Sequence, residues 1–200
     1  VVNDMPTVAS ITASQDATQE GEVSITFDIN DPDDDDTVEA LVEYNVGSGW
    51  EKATLSTDGA DTSADFGDPS INNGATYQVG NAGAYILTSS GLNTVTTRWT
   101  VNSDEGALDL SAAQIRVTPY DGIVAGTAVT SGNFSIDTTP PTPASATYLD
   151  VDGNGTIDRV DLVFNENLGA LTYDASDWSF AVAGDANFDD TGATISTNTV

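Results

Sequence analysis

The stretch EVSITFDI (22–29) sets Val23, Ile25, Phe27 and Ile29 against Ser24, Thr26 and Asp28. Successive side chains of a strand point to opposite faces, so this alternation predicts a strand with one buried and one wet face. A lone strand cannot bury its apolar side, and the chain supplies partners. TVEALVEY (37–44) sets Val38, Ala40, Val42 and Tyr44 against Glu39 and Glu43. TVTTRWTV (94–101) sets Val95, Thr97, Trp99 and Val101 against Thr96, Arg98 and Thr100. AQIRVTPY (113–120) offers Ile115 and Val117, and GNFSID (132–137) brings Phe134 and Ile136. Thr, Val, Ile and aromatic residues fill these runs, and Gly, Asn, Asp and Pro fill the gaps between them. No amphipathic helix is expected; DLSAAQ (109–114) is read as a single helical turn. The fold class is therefore all-β, an antiparallel β-sandwich by strand number and spacing.

Outward from the strands, one boundary stands out. DTTPPTP (137–143) holds two adjacent prolines, which favour an extended, semi-rigid spacer. NDMPT (3–7) has the look of a second such joint. Each precedes a short strand, TVASITA (7–13) and ASATYL (144–149), a weak repeat that suggests tandem modules. The predicted domains are residues 1–138, with a loop-rich insertion at 56–90, and residues 141–200, a second module that is small or truncated. In the second, RVDLVF (159–164), WSFAVA (178–183) and ATIS (193–196) are candidate strands. The chain opens VVNDMPTV, without an initiator Met, and is read as a piece of a longer protein.

Composition narrows the function. Four Lys+Arg stand against 32 Asp+Glu, a net charge of -28. Phosphates need Lys and Arg to displace their counterions, so nucleic acid and anionic membrane surfaces are disfavoured partners. No apolar run approaches a membrane span. Cys and His are both 0, which removes thiolate chemistry and every Ser-His or Cys-His catalytic pair, and leaves zinc without its usual ligands. Acidic pairs are too numerous to single out a glycosidase, and no enzyme activity is expected. The excess charge either keeps the surface soluble through self-repulsion or is neutralised in part by divalent cations.

The run VEYNVGSGWEKATL (42–55) resembles the C to C′ region of bacterial immunoglobulin-like and fibronectin type III-like repeats. AAQIRVTPYDGIVAG (112–126) resembles their F strand and F–G turn, and FSIDTTPPTPASATYLD (134–150) their last strand and the linker into the next repeat. The resemblance implies tandem immunoglobulin-like domains of an S-layer, sheath, filament or adhesin at the cell surface. It also implies self-association, or else a polysaccharide or receptor as partner. Trp50, after the GSG hairpin, is the candidate platform for a sugar; Tyr44 and Trp99 lie on the apolar faces of their strands and are read as core.

DVDGNGTIDRVD (150–161) crowds acidic residues into one turn. With Asp150 at the first position of a calcium loop, Asp152, Asn154, Thr156 and Asp158 take the alternate positions and Asp161 closes it. Gly155 falls where such a loop turns sharply, and Ile157 where an apolar residue anchors it. The pattern resembles an EF-hand or dockerin-type loop, with Asp161 where EF-hands carry Glu. The other reading is an Asx-rich turn, since DGNG makes a hairpin unaided. A second calcium (Ca2+) site is conceivable where NDPDDDD (30–36), the YDG turn and the N-terminal joint meet. Its ligands would come from Asp4, Asp31, Asp33, Asp35 and Asp121, against a plainly solvated charge run.

Overall fold

The computed structural model describes residues 2–16, 21–33, 37–81, 83–157 and 159–166. The chain divides into two compact units, Val1–Thr139 and Pro140–Val200. The first contains β1 (Thr7–Gln15), β2 (Glu22–Asn30), β3 (Glu39–Asn45), β4 (Glu51–Lys52), β5 (Ser63–Ala64), β6 (Asn93–Thr100), a single helical turn α1 (Val101–Asp104), β7 (Asp109–Tyr120), β8 (Val129–Thr130) and β9 (Phe134–Asp137). The second contains β10 (Pro143–Leu149) and β11 (Arg159–Phe164), an antiparallel pair. WSFAVA and ATIS lie outside the described residues.

In the first unit one antiparallel sheet runs β1-β2-β6-β5, and the other runs β4-β3-β7-β8 with β9 also on β7. The alternation in 22–29 is realised: Val23, Ile25, Phe27 and Ile29 are fully buried, and they share one core with Val42 and Tyr44 of β3, Val95 and Trp99 of β6, and Ile115 and Val117 of β7. The polar residues on the outer face of β2 meet their like. Thr26 lies opposite both Thr12 and Thr96, and its hydroxyl is 3.1 Å from that of Thr96.

Tyr44 and Trp99 come from different sheets and stack at 4.4 Å between ring centroids, 18° from parallel. A buried indole N–H needs an acceptor. The turn α1 supplies it: Trp99 Nε1 donates to Asp104 Oδ2 at 2.8 Å, and the same carboxylate accepts the Thr54 N–H at 2.6 Å and the Thr54 hydroxyl. The Tyr44 hydroxyl donates to Glu105 at 3.0 Å. Burial, and then this contact with a carboxylate, raise the Tyr44 pKa well above the usual phenol range. The single turn expected at DLSAAQ is thus misplaced. Those residues open β7, where Leu110 pairs with Ile136 and Ala113 with Phe134.

The long insertion crosses the open side of β3. Of its expected short strands, TYQVG and AYILT form only isolated bridges, Val79 to Ala40 and Ile86 to Val38. Gly80 is required there, because its φ is +84° and a Cβ would come within 2.8 Å of the Val38 carbonyl oxygen. Side-chain amides do much of the remaining fastening. A carboxamide has the donor and acceptor of a peptide group, so it can pair with both polar groups of a backbone residue. Gln78, fully buried, accepts the Val42 N–H at 2.9 Å and donates to the Val42 carbonyl at 3.4 Å and the Ala53 carbonyl at 2.5 Å. Asn73 pairs likewise with Leu55, Asn93 with Phe66, and Gln15 with Asp137, the last tying β1 to β9. The Lys52 ammonium donates to the Asn73 and Ala75 carbonyls at 2.7 and 2.9 Å.

Gln78→Leu keeps the side-chain size but leaves the Val42 N–H and the Ala53 carbonyl buried without this partner. We expect a loss of about 2 kcal/mol, read as a lower urea midpoint at unchanged m-value. Gln15→Leu, whose tie to Asp137 is exposed, should cost clearly less.

Candidate metal centre

The turn between β10 and β11 begins at Asp150. Its Oδ1 accepts the N–H groups of Gly153 at 2.7 Å and Asn154 at 3.1 Å, and its Oδ2 accepts the N–H of Gly155 at 2.8 Å. Gly155 makes this approach with φ of +88°, a conformation that costs an L side chain energy. Asp152 accepts the Asn154 backbone N–H at 3.1 Å and its side-chain amide at 2.9 Å, and Asn154 Oδ1 accepts the Thr156 N–H at 2.7 Å. The Gly155 N–H above all, with those of Gly153 and Asn154, holds the Asp150 carboxyl below the usual carboxylate range.

Asp150, Asp152, Asn154 and Thr156 are therefore gathered in one exposed turn. Asp161 is in β11 opposite Thr147, and its carboxylate is paired with Arg159 at 2.9 Å. Asp158 lies outside the described residues. Ile157 is exposed rather than anchored.

The second predicted cluster is assembled in part. Asp31 and Asp121 are buried, at 1% and 3% exposure. Asp121 Oδ1 accepts the N–H groups of Ile123 and Val124, each at 2.7 Å, and Oδ2 accepts the Asn3 side-chain amide at 2.8 Å. Asp33 accepts the Asp4 N–H at 2.7 Å, and its own N–H goes to Asp31 at 3.0 Å. The N-terminal joint, the turn after β2 and the turn after β7 thus meet through hydrogen bonds. Asp35 lies outside the described residues. Burial pushes the Asp121 pKa up, but the hydrogen bonds from Val124, Asn3 and Ile123 together outweigh it, and the carboxyl ends below its usual range. Among the described residues, no three acidic side chains are grouped closely enough to hold a metal ion as they stand.

Trp50 is half-buried, and the Arg116 guanidinium lies over its ring at 4.4 Å from the centroid, held by Glu43 at 2.7 Å. One face of the predicted sugar platform is already occupied. The Asp104 site under the aromatic stack was not singled out from the sequence. The signal was there: a buried Trp demands an acceptor, and VNSDEG (101–106) begins two residues after it. Compared with known proteins, the chain matches no family model and no curated sequence. Among the described residues, no helix is long and apolar enough to cross a membrane.

Asp121 yields a pH prediction. A carboxyl whose folded pKa is depressed contributes stability above its unfolded pKa, and that stability is lost as pH falls through the folded pKa. Asp121→Asn should cost about 2 kcal/mol at neutral pH. The gap between variant and native protein should close as the solution is taken below the ordinary carboxylate range. Thermal melts across that acid window are the measurement.

Proposed function

We propose that the chain is a segment of an extracellular cell-surface scaffold, an S-layer, sheath or filament protein built from tandem immunoglobulin-like β-sandwich domains. Calcium held by the 150–161 turn would brace the second of these, and the role is structural rather than enzymatic. Two antiparallel sheets around one core suit the sandwich reading. The donor set suits calcium, a hard cation that takes roughly 6–8 oxygen ligands. Asp150, Asp152 and Asn154 present only oxygen acceptors and one amide, at alternate positions of a single turn. Asp161 would have to leave Arg159 to join them.

One observation carries the reading: all four cationic side chains are already engaged within the chain. Arg98 faces Asp16, Glu22 and Asp61 at 3.2–3.4 Å; Arg116 holds Glu43; Arg159 holds Asp161; Lys52 caps two carbonyls. With 32 acidic residues and no uncommitted cation, copies of this chain repel one another unless metal ions lie between them. A scaffold assembled by divalent cations fits that surface. An adhesin or carbohydrate-binding module is the reading to which a negative assembly result would give way.

Calorimetric titration of the chain with millimolar calcium should show saturable heat and a raised melting temperature for one transition, about 2.7 kcal/mol at a hundredfold excess over Kd. Asp150→Ala with Asp152→Ala should abolish this. Light scattering and electron microscopy on the same samples should show calcium-dependent assembly that magnesium supports poorly. A chain that binds calcium but stays monomeric at high concentration keeps the metal site and loses the scaffold.

A further inference from the structure

Two asparagines in the chain precede a glycine, Asn73 and Asn154. In such a pair the glycine nitrogen can turn back onto the asparagine side chain, because no Cβ obstructs it and its backbone is free to rotate. At both sites the glycine N–H meets an acceptor, Asn72 Oδ1 at 3.0 Å in the case of Gly74, and the sites differ in how the asparagine side chain is held. At Asn73 the carboxamide is clamped to Leu55, accepting its N–H at 2.9 Å and donating to its carbonyl at 2.7 Å, which keeps the side chain away from the following peptide. At Asn154 the neighbours match the needs of the reaction. The Gly155 N–H, on the attacking nitrogen, points at Asp150 Oδ2, 2.8 Å away. The Asn154 Oδ1, where negative charge develops as a ring closes, receives the Thr156 N–H at 2.7 Å. The Asn154 Nδ2, the departing nitrogen, is 2.9 Å from Asp152 Oδ2. A donor aimed at developing charge and an acceptor on the nucleophile's hydrogen are the usual ingredients of acyl transfer.

We propose that Asn154 is a self-modification site that forms a succinimide with Gly155 in the cation-free protein. The Gly155 nitrogen bonds to the Asn154 side-chain carbonyl carbon and its proton passes to water. The bond to Nδ2 then breaks, and that nitrogen takes a proton from water and leaves as ammonia. A second water opens the ring at either carbonyl, leaving an aspartate or an isoaspartate. Water is the only co-reactant, and the net change is amide to carboxylate. The turn gains a negative charge and, in the isoaspartate, one extra backbone carbon. A cation on Asp150, Asp152 and Asn154 would draw the same oxygens away from the reacting groups, so the calcium effect alone rests on the metal reading above.

The test is peptide mapping by mass spectrometry, with isoaspartate detection, of the whole chain held at mildly alkaline pH with chelator, folded and in urea. In the folded chain Asn154 should convert several-fold faster than Asn73. Urea should accelerate Asn73 strongly and slow Asn154. Asp150→Ala should slow Asn154 in the folded chain and change nothing in urea. Equal rates at the two sites when folded, or faster conversion of Asn154 in urea, would overturn the proposal. Calcium should slow Asn154 only in the folded chain. If it has no effect while the other results hold, the modification site stands and the metal site falls.

Discussion

The first unit depends on one contact, the stack of Tyr44 on Trp99. These are large residues from separate sheets, and each carries a polar atom that has to be satisfied inside the core. That requirement explains the irregular connection after β6. The chain leaves the strand, makes one helical turn, and so delivers Asp104 to the indole and Glu105 to the phenol. Asp104 then fixes Thr54, and through it the segment that leads from β4 into the long insertion. An aliphatic pair at these positions would fill the space but would give the turn no reason to exist.

A second constraint is the backbone of β3 that its neighbouring strands leave unpaired. Strand edges left open recruit other strands. Here Gln78 occupies Val42 groups that a neighbouring strand would otherwise use, while the insertion covers more of β3 through Val79 and Ile86. Strand addition to β3 is correspondingly blocked at these points.

The strands were legible in the sequence because their signal is local and periodic. Val23, Ile25, Phe27 and Ile29 cannot alternate with polar residues in this way and be a helix. Tyr44 and Trp99 were placed inside by the same rule. The start of β7 was not legible, since Leu and Ala in DLSAAQ favour a helix locally; pairing with β9 overrides that preference. The amide clamps were illegible for another reason. Asn73 and Gln78 sit in a stretch rich in Gly and Asn, where such residues read as turn formers, and only the folded chain reveals which backbone groups they meet. In the acidic turn the alternation of oxygen-bearing side chains could be read directly, but not their direction. Asp150 turns onto backbone amides, and Asp161 onto Arg159, two residues away on the same strand.

The scarcity of positive charge has a last consequence, for resistance to proteolysis. Digestive enzymes of the trypsin type cut only after Lys or Arg, and this chain offers them four bonds. Three lie in the first unit, after Lys52, Arg98 and Arg116, and the residue that follows each, Ala53, Trp99 or Val117, is at most 1% exposed. All three cations stand at the ends or middles of strands whose backbone is already paired. To reach any of these bonds a protease must first unravel a sheet. The few cations that hold the fold together thus mark bonds that the paired strands keep from being cut.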